Sequence, residues 1–326
     1  MRLSIVSTLY QSASHLEEFH RRVCAVASTL TDDFEIILVN DGSPDASLEI
    51  AVSLFRRDPR VRVIDLARNF GHHKAMMTGL AKASGDLVFL IDSDLEEEPE
   101  LLTVFHETLQ RTGADVVYGV QSERRGGVME RLGGWLFFRI FNSLSEWPIA
   151  PNLVTLRLMT HPYVAALVEH RERETMIAGL WAITGFHQVA LPIRKHSQST
   201  STYHLGHKIA ILVNSVTSFS DKPLVLIFYV GFIIVSLASV AAAYLVVRRL
   251  LFGEFLAGWP SLIVSIWLLG GLTLFSLGII GMYLSKVFLE TKQRPYTIIR
   301  QTYERPIRSD DRAVSSDARD SRSVLR

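Results

Sequence analysis

The stretch Asp86–Asp94 reads DLVFLIDSD, an apolar run that ends in two aspartates separated by one residue. An uncharged apolar run of this length between polar residues is typical of a buried strand. Similar runs occupy Leu3–Ser7, Phe34–Val39, Val61–Leu66 and Asp115–Tyr118. We therefore predict strands at these positions and at Asp86–Ile91.

Helical patterns lie between the predicted strands. Ser43–Asp45 supplies an N-cap, a proline at the first helical position and an acidic first turn for a helix that runs to about Arg57. Further helices are predicted from Gly71 to Ala83 and from Glu98–Glu100 towards Arg111. Strands that alternate with helices at this spacing predict a parallel α/β sheet with helices on both faces.

Polar, glycine-containing or acidic segments follow each of the first four predicted strands. They are Ser7–Tyr10, Asn40–Ser43, Ala67–Gly71 and Asp92–Asp94. Because parallel α/β sheets bind ligands beyond the carboxyl ends of their strands, we expect these segments to meet at one edge. Their coincidence predicts an active site there.

Asp92 and Asp94 have the chemistry of a divalent-cation site. Two carboxylates at a strand end offer oxygen ligands to a hard cation and leave room for phosphate. The cation would neutralise charge that builds on a leaving diphosphate. The alternative is a solvated acidic loop, which the neighbouring Glu96–Glu98 also fits.

Asp41 follows the second predicted strand and could accept hydrogen bonds from a base or a ribose. A turn followed by a helix cap accounts for Gly42 and Ser43 but leaves Asp41 free. The adjacent His72 and His73 do not predict zinc. Neighbouring helical residues point apart, and no cysteine or carboxylate lies at a suitable local spacing.

The charge balance and the cysteine count exclude some classes of protein. The 326-residue chain has 34 Lys and Arg against 33 Asp and Glu, so no basic excess predicts nucleic-acid binding. Its single cysteine, Cys24, cannot form an internal disulfide, and we expect it to be a small buried residue in a reducing compartment. The apolar run at Met1–Ser7 is too short for a signal peptide, so we expect the front of the chain not to be exported.

Two long apolar segments follow the predicted sheet. Leu224–Val247 carries no charge and is long enough to cross a hydrocarbon core of about 30 Å, and Phe255–Ser285 is longer still. Lys222 and the basic residues after the second segment favour a cytoplasmic location for both ends of the pair. Arg248 and Arg249, on the opposite side, weaken this assignment. We predict two transmembrane helices in the cell inner membrane and a cytoplasmic N-terminal domain.

These patterns divide the chain into four parts. We predict a cytoplasmic α/β domain at 1–204, an interfacial amphipathic helix at 205–222, two transmembrane helices at 223–285 and a cytoplasmic tail at 286–326. The end of the tail is rich in Ser, Asp and Arg and is predicted to be disordered. The aromatic stretch Trp135–Phe141 fits either a membrane interface or a core helix.

The segments together resemble the family 2 glycosyltransferases, and among them the polyprenyl-phosphate sugar transferases that include dolichol-phosphate mannose synthase. The resemblance spans Ile5 to Arg300, and the order and spacing of its motifs carry it. The matching segments are Val39–Ser43, Arg68–Gly71, Asp92–Leu95, Leu156–Met159, Ser215–Leu224, Gly281–Leu284 and Glu290–Pro295. The resemblance implies a nucleotide-sugar-binding (GT-A-like) α/β domain followed by two transmembrane helices.

The resemblance also implies roles for residues at the predicted sheet edge. The implied nucleotide-binding residues are Tyr10, Asp41, Lys74 and Asp92. Asp92, Asp94 and Glu96 would hold Mg²⁺ or Mn²⁺, with Asp94 as the stronger ligand and a catalytic residue. Glu96 stands where relatives commonly have Gln, and it still offers an oxygen.

Arginines beyond the sheet edge would bind the acceptor. Arg124, Arg125 and Arg131 fall where the family places arginines that hold the acceptor phosphate, and Arg125 and Arg131 are implied as catalytic. Guanidinium groups suit this task because they bind phosphate oxygens bidentately. A solvated basic surface is the alternative for these arginines.

The sequence departs from the family pattern at Thr155, where many relatives carry an aspartate that resembles a general base. A lipid phosphate is already ionised at neutral pH, so it needs no general base before attack. The departure supports a phosphate acceptor, but it also fits an impaired enzyme. The segments Thr8–Gln11 and His196–Tyr203 depart from the pattern as well, and they leave the sugar open.

The sequence therefore predicts an enzyme of cell-envelope glycan synthesis. It would transfer a sugar from a UDP- or GDP-sugar to polyprenyl phosphate, expected to be undecaprenyl phosphate, by metal-dependent inverting displacement. The alternative is a non-catalytic membrane subunit of a polysaccharide or lipid-glycosylation assembly. A transporter is not favoured because the apolar segments lack ionisable residues to line a path. Glycines of the second segment permit close helix packing, within one chain or in a homo-oligomer.

Overall fold

The structure, a computed structural model, describes residues 1–121, 152–170, 177–194, 220–252 and 258–305, together with 139, 172 and 217. The strands are β1 (Leu3–Leu9), β2 (Phe34–Asn40), β3 (Val61–Leu66), β4 (Leu87–Leu90), β5 (Val116–Gln121), β6 (Leu153–Thr160), β7 (Gln188–Ile193) and β8 (Ile299–Tyr303). The helices are α1 (Leu16–Ala27), α2 (Ser47–Arg57), α3 (His72–Leu80), α4 (Leu101–Thr112), α5 (His161–Glu169), α6 (Ile177–Ile183), α7 (Lys222–Phe252) and α8 (Trp259–Thr291). The strands and helices predicted in the first half of the chain are confirmed, except for the start of α2.

The strands form one sheet in the order β7-β5-β6-β4-β1-β2-β3-β8. Its centre, from β3 through β2 and β1 to β4, is parallel, as predicted. The sheet is mixed outside this centre, because β6 runs antiparallel to β4 and β5, and β8 runs antiparallel to β3. The carboxyl ends of the first four strands therefore lie at one edge.

Helices cover both faces of the sheet, which agrees with strands that are buried on both sides. On one face, Leu3 and Ile5 of β1 join a core that includes Phe19 of α1 and Phe105 of α4. On the other face, Val6 joins a separate core with residues of α3, α5 and α6. Alternate residues of one strand thus enter opposite cores, as the pleat requires.

Helix α2 begins later than the sequence indicates. Pro44 does not occupy its first position, because the helix starts at Ser47 and its N-cap, Ala46, makes no side-chain capping bond. Instead the Asp45 carboxylate accepts hydrogen bonds from the Ser43 and Ser47 hydroxyls at 2.6 and 2.5 Å. The acidic residue is therefore used to shape the turn rather than to fill the first turn of the helix.

Helices α7 and α8 are long, apolar and exposed. The segments Lys222–Ala241 and Ser265–Thr291 have mean hydropathies of 2.6 and 1.8, and none of their described side chains is buried. Because these side chains are not buried, the two helices are not core helices of the domain. Leaving them in water would cost about 25 cal/mol per Å² of apolar surface. The two helices indicate association with a membrane. Length and composition are the properties that qualify them as candidate spans.

The glycine face of α8 makes no close contact with α7 in the described part of the chain. A Cβ added at any of four glycines would meet nothing within 4 Å; they are Gly270, Gly271, Gly278 and Gly281. Packing of these glycines against a second copy stays a prediction.

Strand β8 brings the chain back to the sheet after α8. Residues 299–303 pair with β3 in the register Val63↔Tyr303 and Ile64↔Thr302. Arg300 donates to the Ala67 carbonyl at 2.6 Å, and its Nη1 lies 3.5 Å from the Asp65 carboxylate. The segment assigned by sequence to a tail thus contributes the edge strand of the α/β domain.

Candidate active site

The turn after β2 packs tightly against the turn after β3. Gly42 has a φ of 61°, and a Cβ at this position would lie 2.4 Å from the backbone nitrogen of Asn69. Only glycine fits, because the conformation disfavours other residues and the space is filled by backbone. The motif around Gly42 therefore fixes the spacing between two of the loops at the sheet edge.

Asp41 links the same two loops. Its carboxylate oxygens accept the backbone N–H groups of Phe70 and Gly71 at 2.7 and 3.0 Å. Burial raises the pKa of Asp41, while these two hydrogen bonds act in the opposite direction. Asp41 therefore has a structural role in joining the two loops, whereas the turn and helix cap predicted from sequence gave it none. Contact with a base or ribose would use its remaining acceptor capacity.

The loop after β1 is held by serines and by the Asp45 turn. The Gln11 N–H donates to Ser43 Oγ at 2.8 Å, and the Ala13 N–H donates to Asp45 at 3.1 Å. On the other side, Ser93 Oγ donates to the Thr8 carbonyl at 3.0 Å. These bonds leave the side chain of Tyr10 51% exposed at the edge, where an aromatic ring can stack on a base.

His72, the first residue of α3, reaches Asp92. Its Nε2 lies 3.4 Å from Asp92 Oδ1, and its Nδ1 lies 3.0 Å from Thr8 Oγ1. One imidazole thus contacts both the β1 and the β4 strand ends. Sequence reasoning brought the stretch that contains His72 to this edge but gave His72 no role in the site. The available signal was its position one residue after a glycine that follows a predicted strand.

Asp94 lies at the tip of the loop after β4 and is exposed. Leu95, with a φ of 59°, turns the chain so that the Glu96 N–H donates to Asp94 Oδ1 at 3.0 Å. Asp92, Asp94 and Glu96 do not gather their oxygens within 4.8 Å of one another, whereas three other side chains of the described residues meet that distance. The exposed carboxylate of Asp94 nevertheless suits a hard cation that also binds a substrate diphosphate.

Thr155 lies on the strand next to β4. Leu90 of β4 pairs with Arg157 of β6 in an antiparallel register. If this register is extended two residues past Leu90, Thr155 lies opposite Asp92. Arg157 therefore lies on the same face, one pleat deeper, and is 1% exposed. Its guanidinium lies over the rings of Trp181 and Tyr118.

Lys74 lies in the first turn of α3 and faces the segment that follows α8. Its Nζ is 5.9 Å from the centroid of the Tyr296 ring, and the hydroxyls of Thr78 and Thr297 are 2.9 Å apart. The structure therefore gives Lys74 an aromatic neighbour. Its assignment to the nucleotide stays a prediction.

Several predicted features lie outside the described residues. They are Arg124, Arg125 and Arg131, the aromatic stretch 135–141 apart from residue 139, the stretch 195–203 with the departure at His196–Tyr203, residues 205–216, 218 and 219 of the interfacial helix, and the tail end 306–326. Of the predicted site, the structure brings together the four strand-end segments, and it adds His72 and Arg157.

A mixed sheet of this order, with an acidic loop at the end of its fourth strand, defines a GT-A-like glycosyltransferase domain. The model of the family "Glycosyl transferase family 2" matches residues 4–159. The chain belongs to glycosyltransferase family 2, as the resemblance of its motifs predicted, and it is a glycosyltransferase.

Named relatives extend the match over nearly the whole chain. A Mycobacterium tuberculosis protein named as a glycosyltransferase is 57% identical over 93% of this chain and 89% of its own length. The "Prophage bactoprenol glucosyl transferase homolog" of Escherichia coli is 30% identical over 92% of this chain and 99% of its own. The "Bactoprenol glucosyl transferase" of Shigella phage SfII is 31% identical over 93% and 99%. The similarity therefore includes the two apolar helices.

Proposed function

We propose that the protein transfers a sugar from a nucleoside diphosphate sugar to a polyprenyl phosphate, with undecaprenyl phosphate as the expected carrier. The observation that carries this proposal is the joining, in one chain, of a family 2 sheet edge and two long apolar helices that are not buried against the α/β domain. Transfer to an acceptor with a long lipid tail would use both. The bactoprenol-named relatives support the same acceptor class.

The donor would bind along the sheet edge. Tyr10 and Asp41 would contact the nucleotide, and Lys74 would add a positive charge. Mg²⁺ or Mn²⁺ held by Asp92, Asp94 and Glu96 would neutralise charge on the departing diphosphate. His72 keeps Asp92 in place by contacting both Asp92 and Thr8.

The acceptor phosphate would approach from the membrane side. Arg124, Arg125 and Arg131 would hold its oxygens, and one phosphate oxygen would attack the anomeric carbon as the bond to the diphosphate breaks. A single displacement of this kind inverts the anomeric configuration. Thr155 cannot act as a carboxylate base, and an ionised phosphate needs none.

The topology we propose has the α/β domain on the cytoplasmic side of the inner membrane. Pairing of β8 with β3 supports it, because the chain segments before α7 and after α8 then belong to one domain. Two crossings return the chain to its starting side.

The test is a transfer assay with the purified full chain in detergent. Polyprenyl phosphate is incubated with a panel of UDP- and GDP-sugars, with Mg²⁺, Mn²⁺ or chelator, and the glycolipid is detected. Asp94→Ala is compared with Asp33→Asn, whose carboxylate is 71% exposed in the loop before β2. We expect a metal-dependent product with one donor, retained in the Asp33 variant and lost in the Asp94 variant. No product with any donor would favour the non-catalytic membrane subunit.

A further inference from the structure

Three side chains with metal-ligand chemistry meet on the face of the sheet covered by α1 and α2. They are His20 and Cys24 of α1 and Asp58, the C-cap residue of α2. Their ligand atoms all lie within 4.8 Å of one another. The catalytic proposal uses none of them.

The cluster lies away from the candidate active site. Helix α1 runs back from the carboxyl end of β1, and Asp58 lies just before the amino end of β3. The cluster is therefore displaced towards the sheet edge opposite Asp92. Any metal bound there would not contact a substrate at Asp92.

The distances within the cluster fit a tetrahedral ion. His20 Nε2 lies 3.0 Å from Asp58 Oδ2, and Cys24 Sγ lies 3.4 Å from His20 Nε2 and 3.7 Å from Asp58 Oδ2. Zinc bonds of standard length at tetrahedral angles separate two N or O ligands by about 3.3 Å, and sulfur from N or O by about 3.5 Å. Each observed separation is within a few tenths of an ångström of these values.

The ligands are supplied by rigid elements with suitable support. His20 and Cys24 are four residues apart on one helix and so project from the same side. Arg60 donates to Asp58 Oδ1 from its backbone nitrogen and from Nε, both at 2.9 Å, and to Oδ2 from Nη2 at 2.9 Å. These bonds orient the carboxylate, as outer-shell groups do around metal ligands.

A cavity of about 380 Å³ adjoins His20 and Asp58. It gives a fourth ligand, such as water, access to the cluster. Its lining residues are Glu17, His20, Leu54, Arg57, Asp58, Pro59 and Arg60. Glu17 and Arg57 are each 57% exposed, so the cavity reaches solvent.

We propose that His20, Cys24 and Asp58 form a Zn²⁺ site with a fourth position open to solvent. The ion would connect α1 to the turn between α2 and β3, and so stabilise this side of the domain. A cysteine with a histidine selects a borderline transition cation over Mg²⁺ or Ca²⁺. Without the ion, burial raises the pKa of Cys24 to about 11, so binding must release the thiol proton.

Cobalt titration tests the site directly, because Cys24 is the single cysteine of the chain. The reduced, chelator-treated full chain in detergent is titrated with Co²⁺ and followed by near-ultraviolet absorption. A thiolate-to-cobalt charge-transfer band can arise from Cys24 alone. We expect this band to saturate at one equivalent, to disappear on addition of Zn²⁺, and to persist in Mg²⁺.

Variants distinguish a three-ligand site from a lone thiol. Cys24→Ala should abolish the band, and His20→Ala and Asp58→Asn should each weaken apparent Co²⁺ affinity at least about tenfold. Saturating Zn²⁺ should raise the melting temperature of the parent chain by about 5 °C and leave that of Cys24→Ala unchanged. Melting curves without metal confirm that each variant is folded.

No band from the folded, reduced parent chain would overturn the proposal and leave a hydrogen-bond network as the explanation of the cluster. Full retention of the band in His20→Ala would overturn it as well. The Asp94→Ala variant should keep the band, so the zinc proposal and the sugar-transfer proposal can fail separately.

Discussion

The guanidinium carbon of Arg157 lies 3.1 Å from the centroid of the Trp181 ring, and both side chains are buried. Nε and Nη2 of Arg157 make no hydrogen bond within the part of the chain that the structure describes. Burial lowers the pKa of this arginine, since desolvation disfavours its charge. Among the described residues no carboxylate pairs with this cation, so stacking on an aromatic ring gives it little value for stability. Its position one pleat below Thr155 leads us to predict a role in the site.

We therefore expect Arg157→Met to separate activity from stability. The variant should unfold with a free energy equal to the parent's or higher by about 1 kcal/mol, since a buried charge is replaced by an apolar side chain. Sugar transfer should fall at least about tenfold, because positive charge near two anionic substrates is lost. Thermal unfolding and the glycolipid assay measure the two effects.

Arg62→Met is the matched control for that prediction. Arg62 forms ion pairs with Glu35 at 2.9 Å and with Glu304 at 2.8 Å. Its removal leaves the buried Glu35 carboxylate with the more distant Arg2, at 4.0 Å, as its remaining cation among the described residues. This variant should lose about 2 kcal/mol of stability. If Arg157→Met is destabilised as much as Arg62→Met, Arg157 has a structural role instead.

A pair of glycines separates backbone conformation from steric contact. Gly42 and Gly113 have φ values of 61° and 62°, yet an added Cβ would strike backbone at Gly42 and nothing within 4 Å at Gly113. Gly113→Ala should lose about 1 kcal/mol of stability, and Gly42→Ala should lose at least about 2 kcal/mol. Gly42→Ala should also weaken donor binding, because it moves the Asn69 backbone. Equal losses in the two variants would show that the two loops do not restrain each other.

His72 should affect catalysis with little effect on stability. It is 45% exposed and contacts Asp92 and Thr8, so its removal loosens Asp92 without opening the core. We expect His72→Ala to lower kcat/KM for the donor about tenfold and to shift the melting temperature by less than about 2 °C. His187→Ala, at an exposed position beside β7, is the control and should match the parent. Unchanged kinetics in the His72 variant would remove the histidine from the site.

The sequence predicts the site edge well and its internal contacts poorly. Asp41 and Asp92 were identifiable because each follows an apolar strand, and parallel strands end together. The Thr8–His72 contact joins residues 64 positions apart, and nothing in the local pattern encodes it. Strand β8 was missed because it is only five residues long and follows two apolar helices, and so short a segment has no strand pattern of its own. Its pairing depends on the exposed edge that β3 offers.

Asp45 predicts how stability responds to acid. Burial alone would raise the pKa of its carboxyl, but hydrogen bonds from Ser43, Ser47 and the Ala13 backbone outweigh it and lower the pKa to about 2. Because the folded value lies below the usual 3.8, the stabilisation is present above pH 3.8 and is lost as the pH falls towards 2.

We therefore expect Asp45→Asn to melt below the parent at neutral pH and the gap to close on acidification. Thermal unfolding of both proteins across that range measures the gap. A difference in melting temperature that stays constant with pH would contradict the prediction. It would mean that the negative charge of Asp45 does not stabilise the loop. Glu49→Gln, in the first turn of α2, provides a control for general loss of acidic charge.

The edge strand β8 gives a prediction about chain length. A chain that ends at Arg305 keeps the β3–β8 pairing, the Arg300 contacts and the packing of Tyr303 against Phe55, whose ring centroids are 6.2 Å apart. A chain that ends at Ile298 keeps α7 and α8 but loses all of these and exposes the edge of β3. Lost hydrogen bonds and apolar burial should lower stability by about 2–4 kcal/mol. Unpaired edge strands also promote association, so the shorter chain should aggregate in detergent.

Melting temperature and size-exclusion profile should match the full chain for the Arg305 terminus and differ for the Ile298 terminus. Identical behaviour of the two truncations would mean that β8 contributes nothing to the domain, and the support that its pairing gives to the cytoplasmic topology would be lost with it.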